Sequence, residues 1–292
     1  MTPNLSQPPC ETWLWVELTG FDNTQPDFGV ADYLDRCGFT PNAVSFLLFN
    51  PDFIHTHDGL AEDLPLPFDV ASYGGHPYGE DRARQNWTTH QLKGLVDELT
   101  RHGVPVWFAV FDQFVTDEWI GNHPELWYVV ATGERARCIC LFKRLDDGTW
   151  YQDFLAAQLA RVLTDYGFAG FHQADGISHP RMPLHMGDYS DDVTGQFIAS
   201  GHARLPDRLA KPCGDQPGLI AERAAWIWRH QRREWIAFSA QRMTAFATPS
   251  PAPSTPPASR SSSTRPSAAS PLRPSTASAW TTRRSPASAL TA

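Results

Sequence analysis

Apolar runs of strand length alternate with amphipathic helical stretches along the first 247 residues, and most of those helical stretches stop at a glycine. Thr12–Leu18 (TWLWVEL) is rich in aromatic and β-branched residues and predicts a first strand. Val30–Cys37 has helical spacing and ends at Gly38. Ala43–Phe49 (AVSFLLF) is continuously apolar, the pattern of a parallel strand covered on both faces. After a long connection from Asn50 to Trp87, Thr89–His102 carries Leu92, Leu95, Val96 and Leu99 on one stripe, closed by Gly103. Val104–Phe111, the helical stretch Tyr151–Tyr166 closed by Gly167, and Phe168–Ala174 repeat the alternation, and Ile220–Ala247 reads as one long helix. Strand–helix alternation of this kind predicts an α/β protein with a parallel sheet and right-handed crossovers.

The long connections follow the carboxyl ends of strands, where a TIM barrel places its active site. Four β/α units are visible and eight close a barrel. No GxGxxG or Walker loop favours a doubly wound sheet. The expected fold is therefore a partial (β/α)8 TIM-type barrel of about four units over residues 1–247.

The regular pattern stops at residue 247. Residues 248–292 are almost entirely Ser, Pro, Ala, Thr and Arg, and their only large apolar residues are Leu272, Trp280 and Leu290. Such a segment buries too little apolar surface to offset chain entropy, which predicts a disordered tail. Its composition is also that of GC-rich DNA read out of frame, so a frameshift product is expected ahead of a genuine disordered segment, and a non-functional truncated fragment is an alternative reading of the chain.

The formal charge of -8 divides unevenly, because the tail has five Arg and no acids, leaving the body at about -13. An acidic body argues against a nucleic-acid partner. No apolar run reaches the ~18 residues of a membrane span, and the N-terminus has neither a basic nor an apolar leader region, so a soluble cytoplasmic protein is expected. The five Cys contain no zinc-like pair and read as buried thiols.

Candidate chemistry gathers at strand ends. Asp175 ends the Phe168–Ala174 run just before Gly176, and alternation groups Ala169, Phe171, Gln173 and Asp175 on one face, read here as the barrel interior. Asp112 ends the preceding strand, and two carboxylates at neighbouring strand ends suit glycosidic bond cleavage. Turn capping is the simpler role for either residue. His172, Gln173, His179, Trp119, His76 and Tyr78 are the candidate substrate contacts, because aromatic faces stack on sugars while His and amide groups bond hydroxyls. His55-x-His57-Asp58 offers a separate possibility, a pair of imidazoles for a divalent metal.

YGFAGFHQADG, preceded by VWFAVFDQF and with HPEL between, resembles the TIM-barrel superfamily of glycoside hydrolases. In its α-glycosidase branches a strand of Gly-Phe-x-Gly-Phe type ends in the nucleophilic Asp. The resemblance implies Asp175 as nucleophile, a general acid from the following strand, a carbohydrate substrate and no cofactor. Gln173 stands where amylase-type enzymes carry Arg. The HxH pair also resembles metal-dependent amidohydrolases, which would make His55 and His57 metal ligands.

Overall fold

A computed structural model of the chain describes residues 10–48, 52–67, 86–110, 118–173 and 182–247. Met1–Arg242 form one unit and Met243–Ala292 another, of which the described part is the end of the last helix. Asp112, Asp175, His179, His76, Tyr78 and the tail 248–292 lie outside the described residues.

The protein is mixed α/β. Four parallel strands form one sheet: β1 (Trp13–Val16), β2 (Ala43–Leu47), β3 (Val106–Val110) and, after the hairpin strands β4 (Trp127–Val129) and β5 (Arg135–Ile139), β6 (Gly170–Gln173). Their order is β1-β2-β3-β6, each strand lying beside the one before it in this sheet, with no reversal. Register pairs Trp15 with Ser45, Ser45 with Trp107, and Trp107 with Gly170. At the carboxyl end Val110 pairs with Gln173.

Right-handed crossovers between successive neighbours put all the connecting helices on one side. The side chains agree. Phe21 lies between Tyr33 of α1 (Val30–Cys37) and Phe46 of β2. Phe53 of α2 (Asp52–His55) meets Phe108 of β3 edge-on. Tyr166, at the end of α5 (Tyr151–Tyr166), packs on Phe53 and Phe168, and Phe168 reaches Phe108. Between α1 and α5 sits α3 (Thr89–Arg101), opened by a reciprocal capping box between Thr88 and Gln91. Phe46 and Phe108 are fully buried beneath this layer.

The opposite face is open at its edge strands, while Ala43, Ser45 and Ala109 between them are buried. It carries Trp13 and Trp15, which are 45% and 52% exposed, together with Trp107, Gly170 and His172. Trp107 leans over Gly170 so closely that a β-carbon there would overlap its ring, and it also packs against Trp13. This corrects the expected orientation of the last strand. Phe171 packs on Phe108 on the helix-covered side, so the face that Phe171 takes is the covered one, and Gly170 and His172 face outward. Alternation groups residues by face, but it does not say which face the helices take.

Beyond β3, α4 (Glu118–Gly121) leads to an antiparallel hairpin of β4 (Trp127–Val129) and β5 (Arg135–Ile139). The remaining helices are α6 (Asp191–Ala199), α7 (Asp207–Ala210), α8 (Pro217–His230) and α9 (Arg232–Ala247). The expected single helix over Ile220–Ala247 is thus two. Gln231 leaves helical geometry, and its side-chain amide accepts from the Arg204 amide and donates to the His202 carbonyl. Those two bonds tie the break to a neighbouring loop. Buried Arg223 organises the same region by donating to Asp191 and to the carbonyls of Tyr189, Leu209 and Lys211. No described helix is long and apolar enough to cross a membrane.

Candidate functional site

The helices that follow β2 and β3 build one polar cluster. His55, at the end of α2, is wholly buried, and Asp52 lies one turn before it. The imidazole Nε2 is 2.8 Å from the Tyr151 hydroxyl, and Nδ1 is 3.5 Å from Asp52 Oδ1. Trp119 of α4 stacks on the imidazole at 4.0 Å, and Phe154 closes a further side. On its other flank Trp119 meets His123, whose Nδ1 is 2.8 Å from Glu125 Oε1. Carboxylate, imidazole and phenol therefore stand in line, with aromatic rings as walls.

Burial holds the His55 pKa below its ordinary value. The adjacent Asp52 opposes that shift, and nearby His123 adds to it. A neutral imidazole in this setting accepts or donates one hydrogen bond at Nε2 according to its tautomer. Tyr151 is itself fully buried, so the line Asp52–His55–Tyr151 has no exposed end at the phenol. Its physical effect is to fix α2, and with it the chain leaving β2, against the start of α5.

His57 points elsewhere. Its Nε2 is 2.7 Å from Asp165 Oδ2, and Arg161 reaches both Asp165 and Asp58. Between the two histidines, Gln158 of α5 donates to the carbonyls of Ile54, His55 and His57 at 3.1 to 3.2 Å. The expected metal pair is thus divided between two partners, both supplied by α5. Among the described residues no group of three or more His, Cys, Asp or Glu side chains is placed to hold a metal ion.

Of the expected substrate contacts, His172 is exposed on the open face, where its ring meets Trp15 edge-on at 5.7 Å. Trp119 is bound into the His55 cluster instead. The backbone of Gln173 is paired with Val110 in the sheet. Asp112 and Asp175 each stand two residues beyond that register pair in the sequence. A separate groove of about 590 Å³, lined by Thr19, Asp22, Asp32 and Arg36 among others, shares no residue with the His55 cluster.

No protein-family model, curated protein or solved structure matches the chain. Its functional reading therefore rests on its own residues.

Sequence reasoning missed Asp52, Tyr151, His123 and Glu125 as partners of the cluster, and it missed the open face with Trp13, Trp15 and Trp107. The alternation Trp13, Leu14, Trp15, Val16 was a usable signal for that face. Nothing local marked Tyr151, which lies 96 residues from His55.

Proposed function

We propose that this chain is a glycoside hydrolase-like protein on a partial (β/α)8-type barrel, acting on carbohydrate through the strand-end carboxylates Asp175 and Asp112. The observation that carries the reading is the strand order. A doubly wound sheet reverses its order at a switch point, whereas β1-β2-β3-β6 runs on in one direction, as barrel strands do.

The β3–β6 register adds to it. Asp112 and Asp175 follow the paired residues Val110 and Gln173 by the same two positions. Neighbouring strands run about 4.8 Å apart, so carboxylates leaving two of them at one level serve a site the size of a sugar ring. Glycoside hydrolysis divides its chemistry between two such groups. On this reading Asp175 is the nucleophile, attacking the anomeric carbon as the leaving oxygen departs, and Asp112 is its supporting carboxylate. His172, exposed on the same strand, bonds substrate hydroxyls on this reading. The reaction uses no metal or cofactor.

Activated aryl glycosides test the reading, since their leaving groups need little protonation. Slow hydrolysis by the full chain is expected, and Asp175→Asn should reduce it by ~10²–10⁴-fold. Asp112→Asn should have a smaller effect. An unaltered rate in Asp175→Asn would exclude that residue, and no turnover across a broad panel of activated glycosides would overturn the assignment.

A further inference from the structure

Three residues that line one small cavity each bury a polar atom: Asp188 its Oδ2, Trp235 its Nε1 and Arg242 its Nε. None of these atoms has a hydrogen-bond partner among the described residues. Buried polar groups are nearly always bonded, so three such atoms around a single space point to a shared partner. The cavity measures about 10 Å³, with Leu184 and Val193 among its apolar walls. That is the room one water needs, and no larger ligand fits.

We infer that this cavity is the site of one internal water molecule, which accepts from Trp235 Nε1–H and Arg242 Nε–H and donates to Asp188 Oδ2. The inference is independent of the hydrolase reading.

The chemistry of the three groups selects water. Indole and guanidinium nitrogens only donate, and an ionised carboxylate only accepts. An ammonium ion offers no lone pair to the two N–H groups, and a chloride ion offers no proton to the carboxylate. Water does both, and three hydrogen bonds are the usual number for a buried one.

The side chains are also held apart, so they do not satisfy one another. The Trp235 ring is stacked on Tyr189 at 4.9 Å and meets Phe197 edge-on. The Arg242 guanidinium donates from Nη2 to the Phe142 carbonyl and lies against the Phe142 and Phe238 rings. The Asp188 carboxylate is fixed through Oδ1, which accepts from the amides of Val129 and Ser190. The Lys143 ammonium is 3.8 Å from Oδ2, beyond hydrogen-bond reach, and donates to the Trp127 carbonyl instead. It supplies charge beside the carboxylate without filling its free oxygen.

The water would join two parts of the fold. Trp235 and Arg242 stand seven residues apart on α9, two turns along one face. Asp188 lies just before α6 and is bonded to β4 through Val129. A bridge between them seats α9 on the hairpin close to where the first unit ends, at Arg242.

A crystal structure of the full chain, at a resolution that shows ordered water, tests the inference. One isolated peak is expected in the cavity, at hydrogen-bond distance from all three atoms. A cavity without a peak, a peak that leaves any of the three atoms unbonded, or a direct bond between two of these side chains would each overturn it. In solution, rotating-frame Overhauser transfer from water has opposite sign for close approach and for hydrogen exchange. Transfer with the sign of close approach is expected at both the Trp235 indole N–H and the Arg242 Nε–H. Its absence from either proton would also overturn the inference. Neither measurement needs a variant or a substrate, so inactivity toward glycosides would leave both intact.

Discussion

Acidifying the protein from about pH 7 to about pH 5.5 should weaken it through His55 in particular. In the folded chain this imidazole is wholly enclosed, and burial, against the pull of Asp52, keeps its pKa below the ordinary 6.5. An unfolded chain has no such enclosure. Between the ordinary value and the lowered one, the unfolded state holds a proton that the folded state lacks. Unfolding then takes up a proton, and stability falls as pH falls through that window. One proton gives a slope of about 1.4 kcal/mol per pH unit. Integrated from pH 7 to 5.5 with an unfolded value of 6.5, the loss from this one group is roughly 1.2 kcal/mol at most. That is a readable share of a typical folding stability of about 5–15 kcal/mol.

The chain carries ten other histidines, so the comparison must be made against a variant. His55→Gln keeps a group able to bond the Tyr151 hydroxyl but cannot titrate. Urea unfolding of both chains at both pH values supplies the four stabilities required. The parent should lose more than the variant on acidification, by up to roughly 1.2 kcal/mol. Equal losses would refute the argument, as would an imidazole resonance for His55 that titrates at its ordinary value.

Two further substitutions probe the packing. Gly170→Val should destabilise the chain by about 1–3 kcal/mol in urea unfolding, because its β-carbon meets the Trp107 ring and that ring is already held by Trp13; unchanged stability would mean that Trp107 does not lie over this strand. Arg223→Met should cost about 3–5 kcal/mol by leaving Asp191 and three carbonyls without their donor, and a loss under about 1 kcal/mol would show that water or neighbours replace the guanidinium. Burial alone would raise the Asp191 pKa, yet the Arg223 bond and the amides of Cys213 and Gly214 hold it low. The parent should therefore lose this contribution as pH falls below the ordinary carboxylate value, and Arg223→Met should show less of that acid sensitivity, since the two amides remain.

The helices were most legible where the chain carries its own stop signals. The helical patterns at Val30–Cys37 and Tyr151–Tyr166 match α1 and α5 residue for residue, because Gly38 and Gly167 adopt positive φ just beyond them. The strands of the sheet were found but read too long. Apolar residues such as Leu48 continue after the ladder ends, and hydrophobicity does not mark that end. The break at Gln231 was illegible because glutamine is a good helix former, and it is held open by loop residues 27 and 29 positions away. The short strands β4 and β5 carried too few alternations to be seen. In the candidate site the HxH spacing was plain, but its meaning depended on Tyr151 and Asp165, which the fold brings in from 96 and 108 residues away. For the open face, alternation separated Trp13 and Trp15 from Leu14 and Val16, but β2 is apolar on both sides and so did not reveal which side the helices would choose.

The unreversed strand order also sets a timetable for synthesis. Each new strand of the sheet docks against the one made before it, so the sheet can grow in the order in which the ribosome delivers it. Gly170 emerges 63 residues after its partner Trp107. At typical elongation rates that is a delay of roughly 3–13 s, while closing even a long loop and forming a strand pair takes microseconds to milliseconds. The edge of β3 therefore waits, made but unpaired, for seconds on every chain produced. That interval is when a nascent-chain chaperone has most to shield, and codons that slow translation between residues 110 and 170 would lengthen it.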